Sequence, residues 1–332
     1  MSKPPRWLTA ILLVLALVAW LFSPATAQPG AEIRMGYNPV WSIPFLLIGK
    51  ERGAFEAPPG HVKWVSFVNP NQVVEAMAAG ELDAGGITPA HYLIALDKGV
   101  KITAVAILSG WSKPTASYMV RTDSGIQTPQ DLRGKTVGVN NYGGVFDIYL
   151  RQMLDKNGVD PKKDVKIVEV PIANIYQALS TKQIDAGAVP VLFVPLADTK
   201  FKGQFKILFD FADVPGIKER PQINQLILAV TEDYVKKQRP PLKAFLRRYL
   251  DVVRWGYANP AEATALWAKA SKVDLVKALP DPFGPNTDGK IDVPALQLDI
   301  EMMHRYGYLK KAEFGGRPLV DHSILDEILA GR

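Results

Sequence analysis

The chain contains no cysteine among its 332 residues. This absence excludes disulfide bonds, thiolate metal sites and cysteine nucleophiles. Histidine is scarce, and the positions of the four histidines, His61, His91, His304 and His322, fit no metal-binding spacing. Only His91 falls near a predicted ligand turn, and we interpret it as a surface histidine at a helix start. Because neither G-x-S-x-G nor H-E-x-x-H occurs, we expect no enzyme, no metal and no cofactor.

The chain also has little excess charge. Its formal net charge is +6, and Lys3 and Arg6 near the N-terminus supply two of these charges. No basic run occurs, and the G-x-G-x-x-G and Walker patterns of nucleotide sites are missing. A small, dispersed excess of this kind does not favour nucleic-acid binding. We therefore expect no nucleic-acid partner.

One apolar run, Leu8–Phe22, stands out near the N-terminus. It follows the basic stretch MSKPPR and precedes Ala25 and Ala27, which form an A-x-A cleavage pattern. A membrane-spanning helix needs roughly 20 apolar residues, more than this run of 15 supplies. The pattern predicts a signal peptide cut after Ala27 and a periplasmic protein. An uncleaved membrane anchor is the alternative.

The rest of the chain alternates β-branched runs with helical runs, which is typical of α/β sheets with crossover helices. One part of this pattern occurs twice. ELDAGGITPA at Glu81–Ala90 is echoed by QIDAGAVPVL at Gln183–Leu192, so that Asp83 and Asp185 begin matching Asp-Ala-Gly triplets 102 residues apart. We interpret both aspartates as scaffold residues at strand starts, away from any ligand.

The repeat predicts two α/β lobes, and hydrophobic residues make up 48% of the chain, enough for a core in each. We expect crossings between the lobes near Tyr118–Thr122 and Gln222–Gln225, with a hinge and a cleft there. The predicted division is a signal peptide at 1–27, the first part of lobe 1 at 28–118, lobe 2 at 119–222, and the return to lobe 1 with C-terminal helices at 223–332.

Ligands of open α/β sheets bind at the carboxyl ends of strands, beside helix N-termini. The most informative predicted turn of this kind is Asn140–Gly144, the NNYGG turn. Free N–H groups at a helix start bind anions, and glycines let a ligand approach them closely. A tight turn with nothing bound is the alternative.

Aromatic residues at the predicted turns suit a small organic ligand, although any one of them alone is more often a core residue. The predicted ligand-binding residues are Asn38, Trp41, Ser42, Thr88, Pro89, Trp111, Asn140, Asn141, Tyr142, Gly143, Gly144, Pro190, Phe193 and Asn224.

Four stretches together resemble the substrate-binding proteins of ABC importers for nitrate, sulfonates and taurine, a group that shares its fold with the thiamine-pyrimidine synthases. They are MGYNPVWSIPFLLIGKERGAF, VVEAMAAGELDAGGI, TPQDLRGKTVGV and QALSTKQIDAGAV. The resemblance implies a two-lobed (type II) periplasmic binding protein in which each lobe is a mixed sheet flanked by helices, with the ligand cleft at the hinge. It also implies a monomer that delivers its ligand to ABC transporter permease subunits at the inner membrane.

Departures from that family narrow the expected ligand. Tyr142 stands where sulfonate binders often carry small hydroxyl residues, and AVPVLFVP carries no charge. We expect a small organic anion with apolar or aromatic bulk, such as a larger sulfonate or an aromatic carboxylate. Two alternatives stay open. One is an enzyme on the same fold, like the pyrimidine synthases, whose members depend on cysteines; the other is a periplasmic ligand sensor for a receptor.

Overall fold

The computed structural model describes residues 32–38, 43–111, 116–190, 193–216, 223–272, 283, 287–314 and 318–331. The described strands are β1 (Ile33–Tyr37), β2 (Val62–Ser66), β3 (Ala84–Ile87), β4 (Ile102–Trp111), β5 (Ala116–Arg121), β6 (Thr136–Val139), β7 (Lys166–Glu169), β8 (Ala186–Pro190), β9 (Phe205–Asp210) and β10 (Ile223–Thr231). The described α-helices are α1 (Pro44–Glu51), α2 (Pro70–Ala78), α3 (Pro89–Asp97), α4 (Val145–Lys156), α5 (Ile175–Ser180), α6 (Leu196–Thr199), α7 (Glu232–Lys237), α8 (Arg239–Ala258), α9 (Pro260–Ser271), α10 (Val293–Arg305) and α11 (Ser323–Leu329).

The strands form two five-stranded sheets, ordered β2-β1-β3-β10-β4 and β7-β6-β8-β5-β9. In the first sheet β1, β2 and β3 run parallel, and β10 pairs antiparallel with β3 and β4. In the second sheet β6, β7 and β8 run parallel, and β5 pairs antiparallel with β8 and β9. The expected mixed sheets flanked by helices, and the α/β class, are confirmed.

The repeated aspartates occupy equivalent places in the two sheets. Asp83 Oδ2 accepts a hydrogen bond from the Arg34 backbone N–H at 2.9 Å, and Asp185 Oδ2 accepts one from the Thr136 N–H at 2.9 Å. Arg34 and Thr136 are themselves 102 residues apart. Each aspartate thus ties the start of one parallel strand to its neighbour, which agrees with a scaffold role.

The glycine of each triplet allows a helix to lie close against its sheet. A Cβ atom on Gly85 would lie 2.3 Å from Val73 Cγ1 of α2, and one on Gly187 would lie 2.8 Å from Ile175 Cγ2 of α5. Real Cβ atoms do not approach other atoms this closely. The third position of the triplet is therefore set by helix–sheet packing.

Both connections between the sheets lie at the carboxyl ends of the parallel strands of each sheet. β4 ends at Trp111 in the first sheet and β5 begins at Ala116 in the second. Five Cα steps span at most about 18 Å, so the two edges lie close together. The crossing expected near Tyr118–Thr122 comes earlier, because Tyr118 is already paired within the second sheet. The return connection runs from Asp210 at the end of β9 to Ile223 at the start of β10.

Helix α10 packs against helices that flank both sheets. It contacts α3 beside the first sheet and α4 beside the second. Its buried residues Leu296 and Met303 share one apolar cluster with Tyr92 of α3 and Tyr149 of α4. Burial of these side chains favours contact between the two halves of the molecule.

Within the described ranges, no helix combines the length and the apolar character needed to cross a bilayer. The predicted signal peptide lies outside those ranges.

Candidate functional site

The carboxyl ends of β1 and β3 and the start of β10 bring three predicted residues to one edge of the first sheet, and two of them hold loops in place. The Asn38 amide donates to the carbonyls of Phe67 and Val68 beyond β2. Asn224, only 1% exposed, donates to the Asp292 carbonyl at 2.7 Å and accepts from the Asp292 N–H at 3.0 Å. Both atoms of the Asn224 carboxamide are therefore occupied by protein partners.

Thr88, the third residue, caps helix α3 and is linked to His91. Its Oγ1 accepts from the His91 N–H at 3.3 Å and lies 2.7 Å from His91 Nδ1. His91 is buried, which overturns the expectation of a surface histidine. Burial lowers the pKa of His91 to about 4, so the ring is neutral near pH 7. Pro89 is the first residue of α3 and is also buried.

The NNYGG turn joins β6 to α4 at the facing edge of the second sheet. Gly143 has φ +71°, in the left-handed region that favours glycine. The Tyr142 N–H donates to Glu169 Oε1 at 2.7 Å, and the Gly143 N–H donates to Asp147 Oδ2 at 2.9 Å. Two carboxylates of the protein thus hold the middle of the turn.

The donors just after these remain open. Among the described residues, the backbone N–H groups of Gly144, Val145 and Phe146 have no hydrogen-bond acceptor. Asn140 Oδ1 is buried and likewise has no partner in the described part of the chain. Helix N-termini carry partial positive charge. This end of α4 can therefore bind an anionic group, and the Asn140 oxygen can accept from a donor beside it.

Asp147 places a negative charge in the first turn of α4, but that charge is neutralised internally. The side chain is fully buried and accepts from Arg151 Nε at 2.8 Å. The Tyr308 hydroxyl donates to the same carboxylate. Asp147 thus satisfies the start of the helix instead of facing a ligand.

The predicted aromatic residues differ in their surroundings. Tyr142 is 48% exposed, and its hydroxyl donates to the Ile167 carbonyl of β7 at 3.1 Å. Phe193 is half-buried and packs against apolar clusters belonging to both sheets.

Pro190 ends β8 opposite Ala116 of β5. Asn141 belongs to the NNYGG turn, and its amide donates weakly to the Tyr142 carbonyl.

Three predicted positions cannot be placed in full. Trp41 and Ser42 lie outside the described residues, and only the backbone of Trp111 is described, at the end of β4.

Sequence reasoning missed the carboxylates at the second sheet's edge. Asp210 ends β9 and accepts from the Ser117 hydroxyl, and burial raises the pKa of its carboxyl above the ordinary value. Glu169 ends β7. The FKILFD stretch is rich in aromatic and β-branched residues, which favour strands, and it could have indicated β9 and the position of Asp210. No group of acidic and histidine side chains suited to hold a metal occurs in the described ranges.

Comparison with known proteins gives a consistent result. The family model described as NMT1/THI5 like matches residues 42–263. A protein of Brucella abortus (strain 2308), named as a candidate binding protein, is 30% identical over 276 residues, which covers 77% of each chain. The 4-amino-5-hydroxymethyl-2-methylpyrimidine phosphate synthase of Schizosaccharomyces pombe is 27% identical over 143 residues, covering 43% of this chain and 39% of that enzyme.

Among solved structures, the alkanesulfonate-binding protein SsuA of Xanthomonas axonopodis pv. citri, bound to MOPS, superposes with a TM-score of 0.71. The two chains are 20% identical, and the match covers 87% of this chain and 97% of that one. This likeness confirms the two-lobed periplasmic binding protein fold.

Proposed function

The chain belongs to the NMT1/THI5-like family, and from this membership we propose that it is a periplasmic solute-binding protein of an ABC importer. It binds a small organic anion between its two lobes and delivers it to the permease subunits at the inner membrane. The predicted signal peptide at 1–27 directs it to the periplasm, and it acts as a monomer. The name of a relative supports a binding role, since the Brucella protein is named as a candidate binding protein.

One observation carries the proposal. The open N-terminus of α4, at the NNYGG turn, lies on a sheet edge that both connections bring next to the equivalent edge of the first sheet. Closure around a ligand is driven by contacts that the ligand makes with both lobes at once. Thr88 from the first edge and Gly144 from the second are proposed to make such contacts.

The groups at the two edges narrow the ligand class. The open N–H groups of α4 favour an anionic head, and sulfonate is the group bound by the structural neighbour SsuA. The buried, unpaired Asn140 oxygen favours a hydrogen-bond donor on the same ligand, because an unpaired buried acceptor costs about 1–3 kcal/mol. Half-buried Asp210 lies near the hinge and disfavours a second negative charge. We propose an organic ligand with one anionic group and a nearby N–H or O–H.

We propose binding without turnover. The similarity to the Schizosaccharomyces pombe synthase extends over less than half of either chain. The cysteines on which the pyrimidine synthases depend have no counterpart in this chain, which has no cysteine. A periplasmic sensor would bind its ligand in the same cleft. It would differ only in its partner, which would be a receptor instead of a permease.

Native mass spectrometry of the freshly purified protein tests the proposal. We expect a retained small organic anion, released on denaturation. Addition of that compound at about 100 times its dissociation constant should raise the free energy of unfolding by about 2.7 kcal/mol. A protein that retains nothing, and whose melting temperature responds to no organic anion, would contradict the proposal. Conversion of the retained compound by the protein would support the enzyme alternative.

A further inference from the structure

The segment that follows α10, Tyr306–Lys310, joins the two halves of the molecule, and we call it the C-terminal strap. At one end it is tied to the first sheet's side, where the Lys310 N–H donates to Asp97 Oδ2 of α3 at 3.2 Å. Leu309 is buried in the apolar cluster that contains α3, and its carbonyl lies 3.1 Å from His304 Nδ1. The strap is therefore anchored on the first sheet's side at its C-terminal end.

Two tyrosines of the strap reach helix α4 on the second sheet's side. The Tyr306 hydroxyl donates to Gln152 Oε1 at 3.1 Å, in the middle of the helix. The Tyr308 hydroxyl donates to Asp147 Oδ2, in the first turn. Burial and the adjacent Asp147 raise the pKa of Tyr308 above its ordinary value, so the hydroxyl stays protonated and remains a donor.

Tyr308 also contacts the NNYGG turn directly. A Cβ atom on Gly143 would lie 3.0 Å from Tyr308 Cδ1, so the ring rests against the glycine backbone. The Arg151 guanidinium carbon lies 5.7 Å from the centre of the same ring. Asp147 Oδ2, which accepts from Tyr308, is the atom that accepts from the Gly143 N–H.

We propose that Tyr308 is a positioning residue for the ligand turn, holding Gly143 and Asp147 so that the N–H groups at the start of α4 point into the cleft. The turn of the second lobe thus depends on a tyrosine anchored to the first. The functional part of this inference rests on the proposed function, whereas the structural part does not.

Amide hydrogen exchange tests the inference without a ligand. The full chain is expressed and purified as wild type, as Tyr308→Phe and as Tyr306→Phe, and exchange is followed at the Gly143 amide. Tyr306→Phe is the matched control, because it removes one hydroxyl from the same strap and one bond to the same helix. Amides near Leu154, at the far end of α4, serve as the internal reference.

We expect Tyr308→Phe to speed exchange at Gly143 by about tenfold, as for loss of a hydrogen bond to a charged group. Tyr306→Phe should leave the exchange rate of the Gly143 amide unchanged. In Tyr308→Phe the amides near Leu154 should exchange as they do in the wild type. A rate within about twofold of wild type in Tyr308→Phe, or an equal rise in both variants, would overturn the inference. Failure of the proposed function shows separately, as a wild-type protein that retains no ligand, and does not alter the exchange result.

Discussion

Arg34 and Asp83 form a two-pronged ion pair where β1 and β3 begin. Arg34 Nη2 lies 2.7 Å from Asp83 Oδ1, and Arg34 Nε lies 2.9 Å from Oδ2. In the second sheet Asp185 makes the matching backbone bond to Thr136, whose side chain carries no charge. The shared element is therefore the aspartate-to-backbone bond, and it lies at the ends of the strands remote from the cleft.

Asp185→Ala should lower stability without affecting binding. The substitution leaves the half-buried Thr136 N–H without its acceptor, at a cost of about 1–3 kcal/mol in unfolding free energy. Urea denaturation measures the loss, and the affinity for the retained ligand should match wild type. Asp233→Ala removes an exposed carboxylate paired with Lys237 and should change neither quantity. A large loss of affinity in Asp185→Ala would place Asp185 in the binding site.

Gly85→Ala should destabilise the first lobe by crowding. The added methyl group would meet Val73 Cγ1 at 2.3 Å, and overpacking of this kind costs about 1–3 kcal/mol. The double variant Gly85→Ala/Val73→Ala should recover part of the loss, because it removes the obstructing methyl groups. Thermal denaturation of the wild type, both single variants and the double variant gives the coupling energy. Strictly additive losses would show that helix α2 does not press against this glycine.

His91 should make the protein less stable as pH falls from about 6.5 to about 4. In the folded state its pKa is about 4, against an ordinary value of 6.5, so between these values the unfolded chain binds the extra proton. The unfolding free energy therefore falls with pH, by at most about 3 kcal/mol from this residue.

Denaturation of His91→Asn across this pH range tests that expectation. Asparagine can still bond to Thr88 but does not titrate, so the pH dependence should become shallower. His322, whose pKa is also lowered by burial, remains and supplies part of the slope. An unchanged slope in His91→Asn would contradict the buried neutral ring.

Val145→Pro should weaken ligand binding selectively. Proline lacks the N–H that Val145 offers at the start of α4, yet proline is well tolerated at the first position of a helix. Helices α1, α2 and α3 already begin with proline, and Gly144 has the extended backbone that a following proline requires.

We expect about a tenfold rise in the dissociation constant of the retained anion, measured by titration calorimetry, with the melting temperature nearly unchanged. Val145→Ala keeps the N–H and removes the side chain, so it should bind as wild type does. Equal affinity of Val145→Pro and Val145→Ala would mean that the anion does not use this end of α4.

Much of the architecture could be predicted because its sequence patterns are local and occur once in each lobe. The Asp-Ala-Gly triplets, the helix-ending glycines and the alternation of strand and helix all depend on residues near one another in the chain. Strand β9 was not predicted, and the first crossing was placed too late, because the pairing of β5 with β8 and β9 depends on strands distant in the sequence.

The candidate site was harder to anticipate. The NNYGG turn was predicted from its two glycines before a helix, and it does join β6 to α4. The burial of His91 and the engagement of Asn224 with Asp292 depend on elements that meet only in the folded chain. Contact of Trp41, Trp111 and the other predicted residues with a ligand stays a prediction.

Sequence alone was sufficient for the fold class and the internal repeat, because strand direction and helix starts follow from short-range patterns. Tertiary structure alone decided which charges are neutralised and which donors remain open. Asp147 and Tyr308 are 161 residues apart, and no local pattern links them. Their bond forms because α10 packs against α4, and packing between distant helices depends on the whole apolar core.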